Sequence, residues 1–193
     1  MLGGVGRWEP NAEGRLAEAA LELFLERGFD EATVAEIAER AGLTERTFFR
    51  HFADKREVLF GGGPGLSDLL IDAVVSAPPS ATPIEAVATA LEATVTIFDE
   101  ARRPFARRRR AVISANPELQ ERELVKLASL VADMTAALRR RGVKEPVATL
   151  AAEAGMTVFR IAFDRWVDES EQRDLRRLLR ASLKDLRAVL ATS

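Results

Sequence analysis

Leu43 to Phe52 reads "LTERTFFRHF" and sets two hydroxyls, two arginines, two adjacent phenylalanines and the chain's only histidine within ten residues. So many hydrogen-bond donors beside so much apolar surface fit a short helix with one buried face and one working face. Thr44 is placed to cap that helix, which is expected to run to about Arg50. Ala41-Gly42-Leu43 forms the turn before it, and Thr33-Val-Ala-Glu36 has the form of a capping box opening another short helix to about Arg40. A longer helix of about Asn11 to Arg27 comes first, with Leu16, Ala20, Leu23 and Phe24 on one face and Gly28 where a C-terminal cap belongs. Two short helices joined by a tight glycine turn after a longer one make a helix-turn-helix unit. Val34, Ile37, Ala38, Leu43 and Phe48 are its expected small core.

The second short helix of such a unit lays its N-terminal residues against base edges in the major groove. Arg46 can reach guanine O6 and N7 with two hydrogen bonds, and Thr47 can touch a base edge or a thymine methyl. Glu45 and Phe49 fall on other faces of the same helix. Thr33, Thr44, Arg50, His51 and Lys55 suit phosphate oxygens, which set register without carrying sequence information. Taken alone, the pattern also describes a helical hairpin with a solvated basic face and an ordinary, partly buried histidine. Charge favours the DNA reading. Arg40, Arg46, Arg50, Lys55 and Arg56 stand against Glu45 and Asp54 only, a local +3 in an otherwise acidic region.

The whole chain is no nucleic-acid magnet, since its net charge is −2 over 193 residues. With 47% apolar and 30% charged residues it has an ordinary globular composition. Ala73 to Ile84 is uncharged for only 12 residues and holds three prolines, too short and too broken to span a bilayer. "MLGGVGRWEP" lacks the apolar core of a signal peptide, and the absence of cysteine fits a cytoplasmic protein. One histidine, no cysteine and no tyrosine give little to build a metal site or a nucleophile with. No catalytic residue, metal or cofactor is expected.

No segment reads as a strand; apolar residues recur at spacings of three and four throughout. The expected fold is all-α with about nine helices: a three-helix N-terminal domain over residues 1–53 and a helical bundle over 54–193. Asp54 can cap a fourth helix, which "GGGPG" at Gly61 to Gly65 interrupts before the pattern resumes at Leu66 and runs to about Ser76. Further helices follow at about 84–99, 102–114, 117–140, 146–168 and 170–191. The Gly61–Gly65 break serves as a hinge or as a tolerated loop.

At "ATVAEIAERAGLTERTFFRHFADKREVL" the chain resembles the TetR family of bacterial transcriptional repressors, most strongly over Ala12 to Leu59. The resemblance implies an N-terminal DNA-binding domain and a helical C-terminal domain for dimerisation and ligand binding. Thr33, His51 and Lys55 match positions that usually hold phosphates, and Glu45, Arg46 and Thr47 match base-facing ones. Phe49 departs: the family often has Tyr there, whose hydroxyl reaches a phosphate. The glycine break is a second departure, since the fourth helix usually runs on unbroken.

The C-terminal half is read from pattern. In the helix at 146–168, Thr149, Ala152, Met156, Phe159, Phe163 and Trp166 make one seam, and Val147, Ala151, Ala154, Val158 and Ile161 a second. A helix apolar on two sides is buried on two sides. Ala152, Met156, Phe159 and Trp166, with Leu175, Leu179 and Leu186 of the last helix, are the expected face of a two-fold dimer. A monomeric bundle core explains the same pattern. Phe98, Phe105, Ile113, Met134, Phe159 and Phe163 are candidates to line an apolar ligand cavity, with Arg109 for an anionic head group, or else are plain core. The arginines of 102–110, six in nine residues, read as a solvated, salt-bridged face or a second DNA contact. The function expected is a homodimeric regulator of a palindromic operator, released by a small apolar effector. The alternative is a ligand-binding or scaffolding helical protein that has lost DNA readout.

Overall fold

The computed structural model describes residues 12–61 and 65–191. Among them are nine α-helices and no strand: α1 Ala12–Arg27, α2 Val34–Arg40, α3 Glu45–His51, α4 Leu66–Ser76, α5 Pro83–Ala93, α6 Arg103–Ala115, α7 Pro117–Arg140, α8 Val147–Trp166 and α9 Leu175–Ala191. The all-α class and the helix-turn-helix architecture are as expected. No described helix is long and apolar enough to cross a membrane. The N-terminal ten residues, read above as lacking a signal peptide, and Asn11, the expected start of α1, lie outside the described residues.

Each expected cap is in place. Thr33 accepts from the Glu36 N–H at 3.2 Å while the Glu36 carboxylate accepts from the Thr33 N–H at 2.9 Å, closing the capping box of α2. Thr44 accepts from the Thr47 N–H at 3.2 Å and starts α3. Gly42 between them has φ +65°, a left-handed value that side chains with a Cβ adopt poorly. Asp54 caps not a full α-helix but a short 3₁₀ turn, Lys55–Leu59, through the N–H groups of Arg56 and Glu57. The helical pattern resumes at Leu66, as the sequence indicates. Gly62, Gly63 and Pro64, the centre of the candidate hinge, lie outside the described residues.

Two cores form. The first gathers Leu16, Leu21, Leu23, Ile37 and the fully buried Phe48, then reaches past residue 53 to Val58 and Leu59 and takes in Val112, Ile113 and Leu119 from α6 and α7. The second is built by α4, α5, α7, α8 and α9 around Leu70, Met134, Leu138, Trp166 and Leu175. α7 runs ~36 Å from one core to the other, with Leu119 in the first and Leu138 in the second. Close helix approach is required at Gly155, where an added Cβ would stand 2.1 Å from a Val87 methyl of α5.

The residues expected at the dimer seam pack instead within the protomer. Ala152, Met156, Phe159 and Trp166 are buried in their own domain, as are Leu175 and Leu179; Leu186 packs half-buried on the same core. The reason lies in α9 and the 97–98 segment, which cover that side of α8 with Leu178, Leu179 and Phe98. The face of α8 left open carries Val147, Leu150 (64% exposed) and Ile161, with the half-exposed Ala154 between them.

Candidate nucleic-acid interface and effector cavity

α3 is fixed from behind. Phe48 is inaccessible to solvent and packs against Phe52 and, edge-on, Phe49. The opposite side presents Glu45, Arg46, Phe49, Arg50 and His51 to solvent, with Thr47 half-exposed and Phe49 55% exposed. Arg46 and Arg50 have no ion pair or side-chain hydrogen bond among the described residues. Residues i, i+3 and i+4 share a helix face, so Arg46, Phe49 and Arg50 form one patch of two free guanidiniums around an aromatic ring.

The rest of the local positive charge is already engaged. Arg40 donates to Glu26 of α1 at 2.6 Å; that bond raises its pKa and lowers that of Glu26. Arg56 closes back on Asp54 at 2.7 Å. The Lys55 ammonium donates to the carbonyls of Phe29, Asp30 and Ala32 at 2.7, 3.1 and 3.0 Å and stands 4.4 Å over the Phe29 ring. Three donors meet three carbonyls, which departs from the expected phosphate contact: the side chain ties the α1–α2 loop to the turn after α3. Thr33 and Thr44 are capping residues, each with its hydroxyl engaged, Thr33 on Glu36 and Thr44 on Thr47.

A cavity of about 950 Å³ lies where the two cores meet. Phe98, Phe105, Arg109, Ile113, Phe159 and Phe163 all line it; Met134 does not, being sealed in the second core. Its size is near the upper end of small-molecule sites, and its walls are mainly apolar, as such sites usually are. Phe98 stands 5.2 Å from Phe163 and 5.8 Å from Phe159, centroid to centroid, so the aromatic rings form one continuous wall.

Of the six arginines in the tract, Arg103, Arg108, Arg109 and Arg110 are in ion pairs and Arg107 donates to carbonyls, as a salt-bridged face would, while Arg102 is exposed. Arg103 is buried against the Trp166 ring and donates to Glu100, to the Glu171 carbonyl at 3.1 Å and to the Arg173 carbonyl. Arg107 takes the Val167 and Asp168 carbonyls at 3.1 and 2.8 Å, closing the C-terminal end of α8. Arg108 pairs with Glu18 of α1, and Arg110 with Glu123 and Asp164.

Sequence reading missed one cluster. Glu57, in the turn after α3, is held by Arg122 and Lys126 of α7, the latter at 3.0 Å. Burial pushes the Glu57 carboxyl upward, but the hydrogen bonds from Arg122 and Lys126 outweigh it and leave the pKa below the usual value. The spacing of Arg122 and Lys126 by one helical turn was the visible signal; the distant carboxylate they meet was not.

Two family profiles match the chain. That of the bacterial regulatory proteins, tetR family, covers residues 16–60, and that of the MftR C-terminal domain covers 81–191. The HTH-type transcriptional regulator TcmR of Streptomyces glaucescens is 37% identical over 81 residues, 42% of this chain and 36% of TcmR. MftR of Mycobacterium tuberculosis, named for the transcriptional regulation of mycofactocin biosynthesis, is 33% identical over 119 residues, 60% of this chain and 58% of MftR. The chain therefore spans only 36–58% of the length of these relatives. The solved structure of the fatty acid degradation regulator FadR from Bacillus halodurans superposes with a TM-score of 0.53 at 19% identity, over 96% of this chain and 99% of that one. SmeT, the repressor of the Stenotrophomonas maltophilia multidrug efflux pump SmeDEF, gives 0.52 at 20% identity, over 92% and 89%. At those identities the likeness establishes the fold.

Proposed function

The chain belongs to the TetR family of bacterial transcriptional regulators, and on that premise we propose that it is a homodimeric repressor of a palindromic operator, released when a small apolar molecule occupies the cavity. One observation carries the DNA reading: Arg46 and Arg50 stand exposed and unpaired among the described residues, on a helix whose other side is anchored by Phe48. In this reading Arg46 and Thr47 meet base edges, and Arg50 and His51 meet phosphates on either side. Glu45 selects against the wrong base or accepts from cytosine.

A single α3 has about two turns and grips weakly. Two copies set about 34–36 Å apart read two half-sites in successive major grooves. The open stripe of Val147, Leu150, Ala154 and Ile161 on α8, with the exposed Leu190 (69%) of α9, supports pairing with a second copy, because large apolar side chains gathered on one helix face are rarely left in water. A repressor of this kind acts in the cytoplasm, where the operator is. An effector that binds the wider-spaced form of the dimer better shifts the population there, and DNA is released.

Selection of operators from random duplex DNA, followed by anisotropy titrations over a salt series, tests the reading. The expected result is a palindromic consensus bound in preference to scrambled duplex, with affinity falling as salt rises. Binding that prefers no sequence at any salt would sink it and leave the ligand-binding scaffold.

A further inference from the structure

The turn that leaves the DNA-reading unit is fastened by side chains of the cavity wall. Arg109 donates through Nε to the Leu59 carbonyl at 2.7 Å, sits 4.9 Å over the Phe60 ring, and reaches Glu123 at 3.3 Å. Glu123 also accepts from Arg110 at 3.2 Å. One helical turn along α7, Lys126 holds Glu57 of the same turn, with Arg122 on the other carboxylate oxygen. Arg109, Glu123 and Lys126 all face the cavity, as do Leu59 and Phe60. A molecule in the cavity therefore touches the fastening itself.

The fastening is short of negative charge. Among the described residues the ion pairs of Arg109, Arg110, Arg122 and Lys126 are with Glu57, Glu123 and Asp164, four cations against three carboxylates, while Asp133 on the same wall accepts from Ser67. Burial holds the Arg109 pKa below its ordinary value, against the pull of Glu123, so a further anion beside this guanidinium offsets its desolvation. The aromatic wall of Phe98, Phe105, Phe159 and Phe163 continues from it and suits a hydrocarbon tail.

We propose that the effector is an amphiphilic anion whose head group competes with the Leu59 carbonyl for Arg109, unfastening the turn and loosening the hold of the C-terminal domain on the DNA-reading unit. This rests on the effector-cavity reading given above. The turn is the two-state element: fastened, it fixes the position of α3; released, it lets α3 move relative to its twin. Linkage requires the converse, so operator DNA weakens the binding of the anion by the same factor.

Three probes of equal chain length separate the possibilities: laurate, dodecanol and dodecylammonium. Binding of each probe is read by equilibrium dialysis, with the fluorescence of Trp166, 5.5 Å from the cavity-lining Phe163 and 6.3 Å from Phe98, as a local report; operator binding is read by anisotropy. Laurate is expected to weaken operator binding at least about tenfold, dodecanol to bind with little effect on DNA, and R109Q, which unfastens the turn by itself, to bind operator weakly from the start and to lose no more of it when laurate is added. E57Q, which leaves Arg109 intact, is expected to bind operator weakly even without laurate and to respond little to it. Laurate release that persists in R109Q, or E57Q behaving as the wild type, would overturn the proposal. So would equal release by all three probes, or laurate binding that leaves DNA affinity unchanged. Release by dodecylammonium alone would instead name Asp133, a cavity carboxylate that accepts from Ser67 at 2.6 Å, as the reader. If no probe binds, the cavity reading falls together with this one.

Discussion

On α3, Arg46 and Arg50 extend into solvent with no ion pair among the described residues; on α6, Arg103, Arg107, Arg108, Arg109 and Arg110 each end on a protein oxygen. The two runs are made of the same residue. What separates them is the supply of acceptors within reach. α6 passes the C-terminal end of α8, where the carbonyls of Val167 and Asp168 have no intrahelical partner and carry the negative end of the helix dipole. It also passes Glu18, Leu59 and Glu123. α3 meets nothing of the kind, because its buried side is phenylalanine. An arginine count thus predicts neither a DNA contact nor a structural tie; the geometry of nearby oxygens does.

The largest effect is expected at Arg103. Arg103→Ala leaves the Glu171 and Arg173 carbonyls, Glu100 and a buried ring without their partner. The expected loss is about 3–5 kcal/mol of unfolding free energy, the cost of removing one member of a buried charged network. Urea denaturation checks it; a wild-type midpoint would mean that the α8–α9 connection does not depend on α6. Next comes Lys55. Lys55→Met strands three carbonyls in the loop after α1 and should cost about 2 kcal/mol. Its effect on DNA should be small per folded molecule, so a uniform loss of DNA affinity at full stability would restore the phosphate role.

These cases also show how far the sequence could be read. The caps at Thr33, Thr44 and Asp54 were legible because capping is local: donor and acceptor lie within three residues. The aromatic lining of the cavity was legible because Phe98, Phe105, Phe159 and Phe163 stand out against helices rich in alanine and leucine. The partners of Lys55 lie 23 to 26 residues away and those of Arg103 up to 70, and no periodicity reports such distances. The same limit hid which positions of α8 face inward. Both seams are apolar and both give residues to the core, Ala152, Met156 and Phe159 from one and Ala151 and Val158 from the other, so only the packing of α5, α7 and α9 decides which positions stay open.

On α3 the expected effects are smaller and leave stability alone. Arg46→Ala should relax preference at one base position by about 1–3 kcal/mol, while unfolding stays within about 0.5 kcal/mol of the wild type. Operator selection on both proteins, with a denaturation curve for each, measures the two together. A stability loss as large as that of Arg103→Ala would show that Arg46 has a protein partner after all. Phe49→Tyr should act in the other direction. The exposed ring would gain a hydroxyl able to donate to a phosphate, strengthening binding by about 1 kcal/mol for every sequence alike. Unchanged affinity would place the ring away from the backbone.

The least effect belongs to Glu171, the residue whose carbonyl receives Arg103. Its carboxylate is held at a pKa of about 2 by the Arg173 side chain first, then by the N–H groups of Arg173 and Gln172. In the unfolded chain the value is 4.5. A depressed carboxylate binds its proton more readily when unfolded, so it stabilises the fold above pH 4.5, and this share is lost as the pH falls from 4.5 towards 2. Glu171→Gln cannot titrate. Its acid-unfolding profile, followed by circular dichroism, should be flatter than the wild type across that window and slightly less stable above it. Arg46→Ala should leave the profile unchanged, since no carboxylate depends on it. If instead the Arg46 variant shifted the acid transition and the Glu171 variant did not, the free and tied arginines would have been assigned to the wrong helices.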